Sequence, residues 1–256
     1  MNTTQKVIKT FAICLAALII LSIINGVAHL VTSAFSFNND VNINETYNSD
    51  INNIKIDVGT TNMVIKYGDT FSITAENVSK EFKIKEEGNT LIIKEKNITI
   101  FGNKKSSHTT ITIPNDLNNL SIDIGAGKLE LSDITSNNFS LNQGAGKVVI
   151  TNLISNNTTI DGGAGELHIT SSKLQNLDLE LGAGKCYYNG ILLGNNKIAQ
   201  GVGELILDLQ NDDYKFKVEK GLGSITVNGN SYSEDFEVGE GTNIIDIDGG
   251  VGSINI

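Results

Sequence analysis

A Gly-x-Gly pair returns about every nineteen residues through the second half of this 256-residue chain. The first glycines are Gly125, Gly144, Gly163, Gly182, Gly201, Gly221, Gly239 and Gly250, with steps of 19, 19, 19, 19, 20, 18 and 11. A unit this short cannot bury an apolar face of its own, so it must stack on its neighbours. The flanks say what the unit is made of. Three residues before each first glycine stand Ile122, Leu141, Ile160, Leu179, Ile198, Val218, Phe236 and Ile247. Four residues after it stand Leu129, Val148, Leu167, Cys186, Leu205 and Ile225, and six after it Leu131, Ile150, Ile169, Tyr188, Leu207 and Val227. Alternation of this kind marks strands with one buried face.

The inward parity flips across each glycine pair. A straight strand cannot do that, so the pair must be a corner or bulge. The residue between the glycines is Ala126, Ala145, Ala164, Ala183, Val202 or Leu222. Its apolar character suggests the inner side of a tight corner. A polar turn such as Ser136-Asn137-Asn138 closes the unit. The expected fold class is therefore all-β: a parallel β-solenoid with coils of about 19 residues, the Gly-x-Gly corners stacking in chain order. Ile54, Ile56 and Val58 before Gly59, with Met63 and Ile65 after it, read as a degenerate first coil. Phe82–Ile93 reads as a hairpin around Gly88-Asn89. These assignments divide the chain into residues 1–34, an irregular β region over 35–118 that caps the solenoid, and the solenoid proper over 119–256.

Lys6 and Lys9 precede a nearly unbroken apolar run from Phe11 to Val31. That length matches the ~20 residues a helix needs to cross a bilayer. The lysines favour a cytoplasmic N-terminus. The expectation is one transmembrane helix holding an extracytoplasmic body at the cell membrane. A cleaved signal peptide, with Thr32-Ser33-Ala34 as its site, is the competing reading. Net charge is −10, which argues against nucleic acid as a partner.

The order of features from Ile111-Thr112-Ile113-Pro114 through Leu120–Gly127, the repeated Gly-Ala-Gly turns and the closing Gly249-Gly250-Val251-Gly252-Ser253-Ile254 resembles the bacterial putative-adhesin family, the toast-rack proteins, over about residues 50–256. The resemblance implies a cell-envelope location, often behind one transmembrane helix, and adhesion or envelope-stress roles of unknown mechanism. It brings no catalytic residues.

No catalytic, cofactor-binding or metal-ligating residue is assigned, and no cofactor is expected. Gly-Ala-Gly-Lys lacks the spacing and the following helix of a phosphate loop. Gly162–Leu167 has Glu166 where a calcium roll wants Asp, and the wrong period. Cys14 and Cys186 are too far apart to suggest a framework, and Cys186 falls in a core column. His108 and His168 match no metal or triad spacing. Two outward columns remain. Asp123, Asn142, Asp161, Glu180, Ala199, Glu219, Glu237 and Asp248 precede the glycines by two. They read as a solvated charged face, with weak divalent-cation binding as the sharper alternative. Val149, Tyr187 and Ile206 follow by five and, with His168, form either a partner strip or packing under a loop. The expected function is a non-catalytic binding, adhesion or scaffold module whose partner is an envelope protein or surface ligand. The alternative is an envelope-stress sensor or accessory regulator of a neighbouring membrane protein. A wall-polysaccharide hydrolase would need paired carboxylates in an aromatic groove, and Trp is absent.

Overall fold

The structure, a computed structural model, describes residues 41–47, 50–95, 106–114 and 116–256. The apolar run Phe11–Val31 and its expected crossing helix lie outside these residues. Among the described residues no helix is long and apolar enough to cross a membrane, and every regular element is a strand. In chain order these are β1 (Val41–Thr46), β2 (Asn53–Tyr67), β3 (Ser72–Val78), β4 (Phe82–Glu87), β5 (Thr90–Glu95), β6 (His108–Ile113), β7 (Leu117–Gln175), β8 (Leu177–Leu193), β9 (Asn195–Leu209), β10 (Tyr214–Glu219), β11 (Leu222–Val227), β12 (Asn230–Tyr232), β13 (Phe236–Val238), β14 (Asn243–Asp248) and β15 (Val251–Asn255).

The long strand β7 winds through successive coils, with ladder pairing continuing around its corners. Coil stacks on coil in parallel register at the sequence period: Leu167 pairs with Cys186, and Cys186 with Leu205. The three expected columns are buried throughout the repeat region, from Ile122, Leu129 and Leu131 to Ile198, Leu205 and Leu207. Phe82–Glu87 and Thr90–Glu95 form the expected hairpin.

Three features differ from the expectation. First, the polar turn is a third side. Ile134 and Ser136, then Leu153 and Ser155, then Ser172 and Leu174 point inward and are buried. The serine hydroxyls bond the backbone of their own corner: Ser136 Oγ donates to the Asn138 carbonyl at 2.7 Å and Ser155 Oγ to that of Asn157 at 3.0 Å. The coil thus has three buried sides and three corners. The second corner turns on Asp133, Asn152 and Ser171, all with positive φ, a conformation Asn and Asp tolerate better than most residues. The third is an asparagine ladder, in which Asn157 donates to Asn138 at 3.0 Å and Asn138 to Asn119 at 2.8 Å. The period is odd because each of the three corners separates successive inward side chains by an odd step, as from Gln143 to Val148, Ile150 to Leu153 and Ser155 to Thr158, while the strands advance by two.

Second, the residue between the glycines faces out. Val202 is 53 % exposed, Val251 43 % and Leu222 58 %. The reason lies in the second glycine of each pair. Gly184 has φ +148°, and a Cβ there would stand 1.9 Å from the Gly165 carbonyl oxygen. The backbones of adjacent coils touch at that point, and the middle side chain is turned away from the contact.

Third, the last coils stack out of chain order. β14 and β15 insert between β9 and the layer formed by β10 and β11. Gly250 therefore stacks on Gly201, and Gly221 lies one layer further out. Glu237 leaves the acidic column and pairs with Lys215 at 2.9 Å. The N-terminal end repeats the device. β2 lies between β7 on one side and β5 with β6 on the other, all parallel. At both ends the outermost parallel layer is flanked by antiparallel strands: β3 and β4 at one, β12 and β13 at the other. Antiparallel flanking strands of this kind satisfy edges that would otherwise recruit another chain.

Candidate interaction surfaces

The chemistry of this chain lies on its outer sides, because the inside is filled. The sharpest arrangement is on the side after the glycine corner. There the alternation leaves three residues of each coil pointing out, at offsets three, five and seven from the first glycine. Offset three carries Lys128, Lys147, Glu166, Lys185 and Glu204 on successive coils. Lys147 and Glu166 pair at 3.0 Å, as do Lys185 and Glu204. The Lys147 ammonium, by hydrogen bond and charge, holds the Glu166 carboxyl below its ordinary range. Glu204 likewise raises the Lys185 ammonium. All four side chains are more than a third exposed, so water screens each pair and its stabilising effect is small.

Offset five carries Val149, His168, Tyr187 and Ile206, each half-buried. The structure brings these residues together as expected: His168 pairs with Tyr187 and Tyr187 with Ile206 in the ladder. The His168 and Tyr187 rings lie 6.2 Å apart and tilted. Tyr187 is fixed from its far end, where its hydroxyl donates to Asp208 at 3.1 Å. Asn189 also donates to Asp208, at 2.8 Å. Desolvation first, and then Asp208, push the Tyr187 hydroxyl upward. His168 stands 3.7 Å from Glu166. The strip is thus an open platform of apolar and aromatic side chains between a charged column and a polar one.

The acidic column precedes the corner. Asp123, Asn142, Asp161, Glu180, Asp248 and Glu219 are exposed. Its spatial order near the end is Ala199, Asp248, Glu219. Among the described residues no three His, Cys, Asp or Glu side chains are grouped to hold a metal ion.

Cys186 lies in the core, 2 % exposed. Burial pushes its thiol up to about 12. A cavity of about 20 Å³ beside it, lined by Gln143, Gly162, Leu181 and Gln200 among others, opens where Gly162 interrupts a column of larger residues. It has room for a single water. Alkylation at pH 8, followed residue by residue by mass spectrometry, is expected to spare Cys186 until denaturant is added. Fast labelling of native Cys186 contradicts its burial. The same burial predicts an alkaline loss of stability. The fold holds the neutral thiol, so the contribution is complete below the unfolded thiol's range near 9. It falls away as pH rises from there toward 12. A Cys186→Ala variant should lose less stability than the parent over that window.

Reasoning from sequence missed the exposed apolar run Val202–Val251–Leu222. The three are ladder neighbours, but their adjacency depends on the out-of-order stacking. The only signal available was the irregular final step from Gly239 to Gly250.

No curated protein matches the chain. Two solved structures are similar to the chain, each at 17 % identity. One is a "putative cell adhesion protein" of Clostridium sporogenes, with a TM-score of 0.41, covering 85 % of this chain and 99 % of that one. The other is a "putative adhesin" of Bacteroides fragilis, with a TM-score of 0.49, covering 86 % and 99 %. The family model of Toastrack DUF4097 matches residues 51–243, from the first coil to the start of the inserted one, and the chain belongs to that family.

Proposed function

We propose that the chain is a binding or scaffold module of the cell envelope. Its folded body stands outside the cytoplasm and is held at the membrane by the Phe11–Val31 helix, and it performs no catalysis. One observation carries the proposal. Parallel stacking in strict register sets like positions of successive coils ~4.8 Å apart, so each outer side displays columns of side chains over several coils. Such a surface suits an extended or flat partner. The sequence supports the anchor, through the length of the apolar run and the two lysines before it. A net charge of −10 turns the body away from nucleic acid.

The test compares wild-type, deletion and complemented cells for attachment to surfaces and to one another. Reduced attachment, restored by the complement, is expected. Unchanged attachment together with an altered response to envelope-damaging agents would move the assignment to a sensor or accessory regulator.

A further inference from the structure

The geometry points to a partner for the strip side: a second copy of this chain, docked face to face with its stack running in the opposite direction. The inference rests on reading that side as a binding surface, and it names the occupant.

The argument is one of charge order. Along four successive coils the column at offset three reads Lys147, Glu166, Lys185, Glu204, with ladder or ion-pair contacts linking each step. Within these four coils the charges alternate, and an alternating set of even number is its own complement when reversed; Lys128, on the coil before Lys147, then falls opposite Ser253, on the coil after Glu204. A two-fold axis lying along the strands, between the Glu166 and Lys185 coils, turns the stack end for end and sets each column against itself. Glu166 then faces Lys185 of the second copy, and Lys147 faces Glu204, each twice by symmetry. The neighbouring column obeys the same axis. His168 meets Tyr187 and Val149 meets Ile206, so ring opposes ring and aliphatic opposes aliphatic. At offset seven, Thr151 meets Asp208, a donor against an acceptor. A two-fold interface requires this self-complementarity. The parallel alternative, with the axis along the stack, sets the charged column against the polar one and makes no opposite-charge pair. The column order therefore selects the antiparallel arrangement. Outward side chains of this side stand half-buried or exposed, available to a flat partner. The area is modest, four coils high and about five residues wide. That places the pair at the weak end, below about 1,200 Å² in total. In it the two Val41 ends point in opposite directions, the arrangement by which bodies on two facing surfaces would meet.

Disulfide trapping of the full chain in detergent tests the pair. With Cys14→Ser as background, Val149→Cys chains and Ile206→Cys chains carry different tags. Mixed, they should crosslink at least about tenfold more than either alone, since only the antiparallel pair sets position 149 against 206. Adding Glu166→Lys to both chains should cut the yield roughly tenfold, because two attractive pairs become repulsive. Using Glu166→Lys in one chain and Lys185→Glu in the other should restore it. Thermal melts matching the parent establish that these exposed variants fold. Equal crosslinking within each single variant, or a yield indifferent to the charge reversals, overturns the inference. Absent crosslinking in a protein whose deletion still reduces attachment removes self-pairing and leaves the binding-module reading in place.

Discussion

Gly184→Val is expected to lower the melting temperature by on the order of 10 °C or more, while Ala183→Val, one residue earlier, shifts it by about 2 °C or less. The two positions share a corner and receive the same side chain. At Gly184 a Cβ would stand 1.9 Å from the Gly165 carbonyl oxygen and 3.0 Å from its nitrogen, with φ at +148°. A β-branched residue avoids that conformation, and the obstructing atoms are backbone, which cannot swing aside. The next coil must either separate or shift, and each step of the parallel ladder there is lost with it. Ala183 faces solvent. Its ladder neighbour Val202 already holds valine at the equivalent position, 53 % exposed. The measurement is a thermal melt of both variants by circular dichroism. Equal shifts would show that the glycine is not held against the coil beneath it.

The same pair of positions shows what the sequence carried and what it did not. The glycine column was legible because a period with a fixed residue type at a fixed offset leaves few alternatives. The flanking strands were legible because Ile122, Leu141, Ile160 and Leu179 alternate with polar residues over enough positions to establish a period of two. The direction of the middle residue was not legible. Alanine, valine and leucine look like core, and only the contact between adjacent backbones reveals that the corner turns them out. The third side was hidden for a different reason. It contributes only two inward residues per coil, and one of them is often serine, as at Ser136, Ser155 and Ser172. A buried serine that bonds its own corner has the composition of a turn. The strip of Val149, His168, Tyr187 and Ile206 was visible as a column, since offset alone defines it. Its pairing with an alternating charged column became meaningful only once the ladder fixed which coil lies next to which. The end layers were beyond local reasoning. Val251 reaches Val202 by passing over a layer that comes earlier in the chain, and register between distant strands is set by shape and core filling. Residues 1–34, where the anchor is expected, fall outside the described residues.

The period itself should be a unit that can be removed. Deleting residues 144–162 joins Gln143 to Gly163. Gly163 stacks directly on Gly144, so after the deletion it takes the place Gly144 held over Gly125. Leu167 then succeeds Leu129, and Leu179 succeeds Leu141. Every inward column keeps its parity, and Glu166 comes to lie next to Lys128 in place of Lys147. In an array held by nearest-neighbour interfaces, removing one coil subtracts one coil and one interface and leaves the rest in register. The expected product is a soluble β protein that still melts cooperatively, at a temperature somewhat below the parent's. Deleting 144–153 instead removes a glycine corner and the strand after it, and joins Gln143 to Ile154. The nine residues left of that coil span about 30 Å at most, too little to go round three sides. All inward positions beyond the junction fall out of step with the coil beneath. That variant should show no cooperative melt and should aggregate. The comparison is made by circular dichroism, thermal melting and size-exclusion chromatography on both deletions. Two products that fold equally well would mean that the nineteen-residue coil is not the unit on which this structure is built.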